Sequence, residues 1–216
     1  MYKGVWKGKY ADDGTRILIL GESHYCSEGD NLDTTTSVIK RFLEKGDIPF
    51  FEKIVESLGY RADERETLFD LVFFGNYIDE LCGIGDAKAK EYARKDCEKY
   101  NDELFSFVNE NKIDVILSFS KLAYDHLPVS TCENKKRNLE GGTRKVIGNI
   151  GQNNNVAEKY EYVANVAHNK CNIALNRDLV VYALRHPSGQ GGYSVKQAKK
   201  FFMAECEELK RIIKIE

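Results

Sequence analysis

The sequence predicts an α/β fold with a central, mainly parallel sheet of four strands. Four short apolar runs support this prediction, because continuous stretches of leucine and β-branched residues are typical of strands buried on both faces. The runs are residues 17–20 (ILIL), 71–75 (LVFFG), 113–117 (IDVIL) and 179–184 (LVVYAL). Helix-like segments lie between them, and a strand followed by a helix fits a right-handed crossover between parallel strands.

Polar side chains follow each of the four predicted strands. They are Glu22, Ser23, His24 and Tyr25 after the first strand, Asn76 after the second, Ser118 and Ser120 after the third, and His186 and Ser188 after the fourth. Gly21 is predicted to turn the chain sharply at the end of the first strand. Because open α/β sheets bind ligands outside the carboxyl ends of their strands, we expect these residues to meet in one cleft.

Helices are predicted from capping residues and from apolar residues at helical spacing. Hydroxyl groups at residues 34–36 start the first helix, and Gly46 stops it. A second helix starts at Pro49 and ends before Gly59. The longest helix is predicted over residues 86–111 and a short one over residues 121–127, and Ser194 is predicted to cap the C-terminal helix.

Residues 132–176 interrupt this pattern with an insertion rich in glycine, asparagine and basic residues. The alternation of Tyr160, Tyr162, Ala164 and Val166 with more polar residues indicates an added strand or hairpin. Two interpretations of the insertion stay open. In the first, the basic and aromatic residues of the insertion bind a phosphate backbone or a substrate. In the second, the insertion is a solvated surface loop.

The length of 216 residues predicts a single domain, covering residues 1–216, with a sizeable core. The 32 basic residues nearly balance the 34 acidic ones, and the formal net charge of −2 does not indicate a strongly basic nucleic-acid-binding protein. A local basic patch is still compatible with that function. No apolar run approaches the roughly 20 residues that span a bilayer, so we expect no membrane association.

The six cysteines lie far apart in the sequence and include no C-x-x-C pair. They are Cys26, Cys82, Cys97, Cys132, Cys171 and Cys206. This spacing argues against a zinc ribbon and an iron–sulfur cluster, and we expect no metal and no other cofactor. The N-terminus has no signal-peptide pattern, so we expect reduced cysteines and a cytoplasmic location.

The order and spacing of the motifs resemble the uracil-DNA glycosylase superfamily from residue 17 to about residue 194. The motifs are G-E-S-H-Y at 21–25, Asn76, V-I-L-S-F-S-K-L-A at 115–123 and H-P-S at 186–188. The resemblance implies a three-layer αβα sandwich and a DNA-repair hydrolase that cleaves the N-glycosidic bond of uracil or another damaged or modified base. The implied partner is DNA, either single-stranded or carrying a modified base, and we expect a monomer.

The resemblance also implies a role for each motif. The loop at 21–25 positions the hydrolytic water and packs against the base, with Glu22 and Ser23 as catalytic candidates. Asn76 reads the base edge and His186 stabilises the departing base anion. Further substrate-binding candidates are Gly21, His24, Tyr25, Ser118 and Ser188. The DNA-binding candidates are Ser120 and Lys121, together with Gly189, Gln190, Gly191 and Tyr193 of a loop that enters the minor groove.

These residue types suit the implied chemistry. A glycosylase flips its target nucleotide out of the stack and leaves negative charge on the departing base. A histidine stabilises that anion by donating a hydrogen bond, and an asparagine amide offers both a donor and an acceptor to a base edge. A carboxylate near the sugar orients water and stabilises positive charge, and Glu22 is the only carboxylate at 21–25.

Three other hypotheses remain open. Ser23 stands where one branch of the superfamily carries a water-activating aspartate, which suggests a nucleic-acid or nucleotide binding module that has lost catalysis. A further hypothesis is an unrelated hydrolase in which Ser23 pairs with His24 or His186. The last is a metal site of Glu22, His24 and Cys26, although a hydrogen-bonded loop histidine is the preferred interpretation of His24. His126 and His168 are expected to have structural or surface roles.

Overall fold

The computed structural model describes residues 4–24, 35–82, 87–130, 138–139, 142–149, 156–187 and 193–214. The strands are β1 (Trp6–Lys7), β2 (Ile17–His24), β3 (Phe73–Leu81), β4 (Val115–Ser118), β5 (Val129–Ser130), β6 (Asn138–Leu139), β7 (Gly142–Asn149), β8 (Val156–Tyr162), β9 (His168–Asn169) and β10 (Leu179–Ala183). The helices are α1 (Thr35–Lys45), α2 (Pro49–Ser57), α3 (Arg65–Asp70), α4 (Ala87–Asn111), α5 (Lys121–His126) and α6 (Val195–Glu205), with 3₁₀ turns at Ala62–Glu64 and Glu207–Leu209.

The main sheet has the strand order β1-β3-β2-β4-β10-β8-β7-β6. Its centre is parallel, because β2 pairs in parallel with both β3 and β4, and β4 pairs in parallel with β10. These four are the strands that the apolar runs predict, and their carboxyl ends lie at one edge of the sheet. The α/β class and the parallel centre are therefore confirmed.

The sheet as a whole is mixed and contains eight strands among the described residues, so the prediction of a mainly parallel, four-stranded sheet is wrong. β1 pairs antiparallel with β3, and β8, β7 and β6 extend the sheet beyond β10 in antiparallel fashion. Strands β7 and β8 come from the insertion at 132–176 and pair antiparallel, which confirms the predicted added strand or hairpin, although β8 ends at Tyr162 and Ala164 and Val166 of the predicted alternation follow it. An edge strand leaves a row of backbone hydrogen-bonding groups unpaired, and the added strands satisfy the edge of β10.

Helices cover both faces of the parallel centre because successive strand residues point to opposite sides. Ile17 and Ile19 of β2 belong to a core shared with α1, α2, α3 and α6. Leu18 and Leu20 belong to a second core shared with α4 and α5. The described chain thus has a helical layer on each side of its sheet.

The helix predictions hold within a few residues. Gly46, with φ of +70°, follows α1, and Pro49 occupies the first turn of α2. Ser194 caps α6 by accepting a hydrogen bond from the Gln197 N–H at 3.3 Å. The long helix α4 is bent at Asp96, where φ and ψ are −122° and 22°. None of the helices in the described ranges is long and apolar enough to cross a membrane.

Two strands run further than predicted, and both differences concern the candidate site. β2 continues through Gly21 to His24, so Gly21 is a strand residue and not a turn. β3 continues from Phe73 to Leu81, so Asn76 lies inside the strand and not after it. Polar residues near the end of a parallel strand can still pair with a neighbour, and apolarity alone therefore places the strand ends too early.

Candidate active site at the carboxyl edge of the sheet

Glu22 is held in place by a residue of the neighbouring strand connection. The Ser120 hydroxyl donates a hydrogen bond to Glu22 Oε2 at 2.9 Å and accepts one from the Ala123 N–H at 3.0 Å. Ser120 therefore caps α5 and positions the Glu22 carboxylate at the same time. This contact joins the ends of β2 and β4, as the sequence predicts for a shared edge.

Ser118 and Ser120 occupy supporting positions, which differ from the predicted roles of direct ligand and DNA contact. Both residues are fully buried, and the Ser118 hydroxyl donates to the Ser120 carbonyl oxygen at 3.4 Å. A residue with no exposed surface cannot touch a DNA backbone. The strand register explains this, because Ser118 pairs with both Leu20 and Ala183 inside the sheet.

Gly21 and Asn76 are direct neighbours in the pairing of β2 with β3. A Cβ atom on Gly21 would lie 2.4 Å from Asn76 Oδ1 and 3.2 Å from the Phe74 ring. The absence of a side chain at Gly21 therefore leaves room for the Asn76 amide, which is 9% exposed. The glycine serves close approach, where the sequence predicts a turn.

His24 lies in a buried polar cluster beside Asn76. Its Nε2 is 3.2 Å from Asp79 Oδ1 and 3.3 Å from Thr35 Oγ1. The Asn76 Nδ2 donates to Thr35 Oγ1 at 3.4 Å and lies 3.4–3.5 Å from the two nitrogens of the His24 ring. The predicted neighbours His24 and Asn76 are thus brought together, with Thr35 and Asp79 as additional members.

His186 follows β10 and is flanked by two residues of α2. Its ring stacks on Phe50, with 4.6 Å between the ring centroids and an interplanar angle of 23°. Lys53, one turn further along α2, donates from Nζ to the carbonyl oxygen of Pro187 at 2.8 Å. Burial lowers the pKa of His186, Glu22 counteracts this and the Lys53 ammonium lowers the pKa further. His186 is therefore expected to be neutral at neutral pH.

The two parts of the site are linked through aromatic contacts on one face of the sheet. Phe50, which stacks on His186, also packs edge-on against Phe74 at 6.3 Å. Phe74 in turn lies against the space above Gly21, where the Asn76 amide sits. Asn76 and His186 are therefore joined by one run of aromatic contacts, and Glu22, held by Ser120, is near enough to His186 to raise the pKa of its imidazole.

Ser23 has no contact that would make it a nucleophile. Its hydroxyl is buried and makes no hydrogen bond to His24 or His186 in the part of the chain that the structure describes. The hydrolase hypothesis of a Ser23–histidine pair lacks this required geometry. Glu22 and His24 bond to Ser120 and Asp79 respectively, and no group of three metal-binding side chains occurs among the described residues.

Tyr193 and Lys121 differ in their suitability for DNA contact. The Tyr193 hydroxyl is 2.9 Å from Ser57 Oγ and its ring packs on Phe119 at 6.5 Å, so it belongs to the core and not to a DNA-binding loop. Burial raises the pKa of its phenol. Lys121 is exposed at the first residue of α5, where it remains a candidate for a phosphate contact.

The remaining candidates lie outside the described residues. They are Tyr25, Ser188, Gly189, Gln190 and Gly191, together with Cys26 of the metal hypothesis. Their predicted roles stay predictions.

Four residues of the site were not singled out from the sequence: Thr35, Phe50, Lys53 and Asp79. Phe50 and Lys53 are one turn apart on α2, but the sequence does not show which helix face meets the end of β10. Asp79 reaches His24 because the pairing of β2 with β3 shifts register between Ser23 and His24. Such a bulge has no reliable sequence signal here.

A scan against protein-family models and a search of curated proteins find no match to this chain.

Proposed function

We propose that this protein is a glycosylase-like enzyme that hydrolyses the N-glycosidic bond of a damaged or modified base in DNA. The observation that carries the proposal is the convergence of Glu22, Asn76 and His186 at the carboxyl edge of four neighbouring parallel strands. Helical layers on both sides of a parallel centre support the general α/β arrangement, while the eight-stranded mixed sheet departs from the four-stranded sheet that the resemblance to uracil-DNA glycosylases implies. The chemistry of the three residues supports the same reaction.

His186 has the properties of a donor to a departing base. A neutral imidazole donates an N–H to an anion, and stacking on Phe50 restricts the ring to one plane. A hydrogen-bond donor that is fixed before the reaction stabilises charge that develops in the transition state. The hydrogen bond from Lys53 to Pro187 holds the adjoining backbone, which helps to keep that donor in place.

Glu22 is suited to the sugar side of the same bond. Its carboxylate is half-buried and fixed by Ser120, and it is close enough to His186 to raise the pKa of the imidazole. A carboxylate in such a position orients a water molecule and stabilises positive charge on the sugar. Glu22 and His186 would then act on opposite partners of the breaking bond.

Asn76 is suited to reading the base. Its amide carries both a donor and an acceptor, it is largely buried, and the glycine beside it leaves room for its oxygen. The base would have to leave the helical stack to reach it, because base edges inside a duplex are not accessible to a recessed amide.

A binding module without catalysis is the second candidate. The burial of Ser23 favours it, since this residue occupies the position where one branch of the superfamily carries a catalytic aspartate. A buried hydroxyl does not activate water at the edge of the sheet. Such a module would bind nucleic acid in a salt-dependent manner and release no base.

Base release from labelled oligonucleotides tests the proposal. Substrates carry uracil, hypoxanthine, xanthine or a bulky pyrimidine lesion, in single and double strands. Wild type is compared with Glu22→Gln, Asn76→Ala and His186→Ala. The control is His126→Ala, since the imidazole of His126 bonds to the Leu122 carbonyl oxygen of its own helix, and the contacts that Tyr77 and Asn101 make to position 126 use the backbone carbonyl, which the substitution keeps.

We expect release of one base by wild type and by the control, with rates at least about a hundredfold lower in the three site variants. Binding that the site substitutions abolish, without release by wild type, would favour the binding module. The absence of both binding and release would contradict both candidates.

A further inference from the structure

A cavity of about 120 Å³ lies between α1, α2 and the first 3₁₀ turn, and it shares no lining residue with the candidate active site. The apolar part of its lining includes Phe42 and Val55, which are each 1% exposed. The charged residues of the lining are Arg65, Glu52 and Glu56. The cavity therefore combines an apolar surface with charges of both signs.

Arg65 is held in place by backbone carbonyl groups. Its Nε donates to the Leu43 carbonyl oxygen at 3.0 Å and its Nη2 to that of Glu44 at 3.3 Å, both in the last turn of α1. Its Nη1 donates to the Ala62 carbonyl oxygen at 2.9 Å. A guanidinium has more N–H groups than these three bonds use. Arg65 is thus fixed beside the cavity with donors left for an anionic group.

Glu52 and Glu56 lie one turn apart on α2, and both are exposed. Like charges at this spacing share one side of a helix and repel each other. Among the residues that the structure describes, neither carboxylate forms a side-chain hydrogen bond or an ion pair, and Arg65 is no exception. The cavity thus has a guanidinium and two carboxylates in its lining that do not pair with one another.

We propose that this cavity binds a small zwitterion of the α-amino-acid type, with the carboxylate at Arg65 and the ammonium group at Glu52 and Glu56. A guanidinium binds a carboxylate through parallel N–H bonds, and the two glutamates accept hydrogen bonds from an ammonium group. The side chain of the ligand would lie against Phe42 and Val55. The site is independent of the proposed glycosylase function.

The charges and the size of the cavity both narrow the choice of ligand. A cation alone, such as a lysine side chain, would be repelled by Arg65, and an anion alone would be repelled by Glu52 and Glu56. A protein cavity of about 150 Å³ takes a molecule of the size of benzene. The cavity in this protein is slightly smaller, so it suits an amino acid with a small apolar side chain, such as alanine or valine.

An NMR titration of the full chain tests the proposal, with the Gly46 backbone amide and the Val55 methyl groups as reporters inside the cavity lining. The probes are alanine, valine, isobutylamine and 3-methylbutanoate. Isobutylamine is valine without its carboxylate, and 3-methylbutanoate is valine without its ammonium group. We expect saturable shifts with alanine or valine, and binding of both analogues that is at least about tenfold weaker than that of valine.

The double variant Glu52→Gln, Glu56→Gln removes the charges for the ammonium group without changing the size of either side chain. Both positions are exposed, so the fold should be kept. We expect valine to bind at least about tenfold more weakly to this variant, while 3-methylbutanoate binds no more weakly than to wild type. The matched control is Glu66→Gln, Glu110→Gln, which makes the same change of charge at two exposed residues outside the cavity.

The absence of a saturable shift with both alanine and valine would overturn the proposal. Binding of isobutylamine as tight as that of valine would also overturn it, because the cavity would then take a cation such as the lysine side chain of a protein partner. Equal weakening of valine binding in the control and in the Glu52, Glu56 variant would contradict a direct contact with the ammonium group. None of these results depends on base release.

Discussion

At the scale of single residues, the size of Gly21 decides whether Asn76 can take its place in the site. Gly21→Ala would put a methyl group 2.4 Å from Asn76 Oδ1, so the amide or the strand must move. We expect the free energy of unfolding to fall by about 1–3 kcal/mol, as is usual for overpacking. Urea denaturation measures this loss, and base release or oligonucleotide binding should fall with it.

A double variant separates this clash from a general strain in β2. Removing the Asn76 amide relieves the contact, so Gly21→Ala combined with Asn76→Ala should be less destabilised than the sum of the two single variants. Additive losses would mean that the alanine disturbs another neighbour, and the close-approach role of Gly21 would be wrong.

His186 provides a second prediction at this scale. Burial lowers its pKa below the ordinary value of 6.5, and Lys53 lowers it further while Glu22 opposes the change. Removing the cation makes the imidazolium easier to form. Lys53→Met should therefore raise the pKa of His186, and Glu22→Gln should lower it. An NMR titration that follows the His186 Cε1–H signal measures both shifts.

Lys210→Met is the control for that titration, because Lys210 pairs with Glu207 on an exposed turn. It should leave the pKa of His186 unchanged. A lower pKa of His186 in Lys53→Met, or an ordinary pKa in wild type, would contradict the described surroundings of the imidazole.

At the scale of elements, two serine caps allow stability and function to be separated. Ser120 and Ser194 each accept a hydrogen bond from a backbone N–H in the first turn of a helix, α5 and α6 respectively. Replacing either with alanine should lower the free energy of unfolding by about 1 kcal/mol. Only Ser120→Ala should also reduce base release or nucleotide binding, because only Ser120 holds Glu22.

Denaturation curves and binding assays on both variants check this prediction. Equal functional losses in Ser120→Ala and Ser194→Ala would show that Ser120 acts through helix stability alone. Glu22 would then not depend on its contact with the α5 cap.

The elements also show what the sequence could and could not predict. The four parallel strands and most helix boundaries follow from apolar patterns and from caps such as Pro49 and Ser194. The apolar patterns did not predict that β2 continues through Gly21 or that β3 continues through Asn76. Polar residues at the end of a strand have the same sequence pattern as a loop. The contact between His24 and Asp79 depends on a bulge, and the stacking of Phe50 on His186 depends on tertiary packing. Neither has a local signal.

At the scale of the whole molecule, acid should destabilise the fold through His168. This residue is buried between Phe105 and Tyr162, at centroid distances of 5.8 and 5.2 Å, and neither ring nitrogen has a hydrogen-bond partner in the described ranges. Burial lowers its pKa from the usual 6.5. The unfolded chain therefore takes up a proton at higher pH than the folded one, and stability falls as the pH drops from 6.5 toward the folded pKa.

His168→Phe keeps an aromatic ring in place and removes the titrating group. Wild type should lose more stability than this variant between pH 7 and pH 5, by about 1.4 kcal/mol for each unit by which the pKa is lowered. The lowered pKa of His186 also reduces stability in acid, so the His168→Phe variant should keep part of the acid sensitivity. The half-exposed His126 is the control, and a larger effect of His126→Phe would contradict this assignment.

The most direct test of the central claim is whether Asn76 and His186 respond together to one nucleotide. In an NMR titration of the full chain, a single-stranded oligonucleotide with one uncleavable 2′-fluorodeoxyuridine should shift the Asn76 side-chain amide and the His186 ring signals with the same dissociation constant. An oligonucleotide with an ordinary deoxycytidine at that position should shift them less. Movement of only one of the two residues, or of surface lysines alone, would contradict a shared nucleotide site at the carboxyl edge of the sheet.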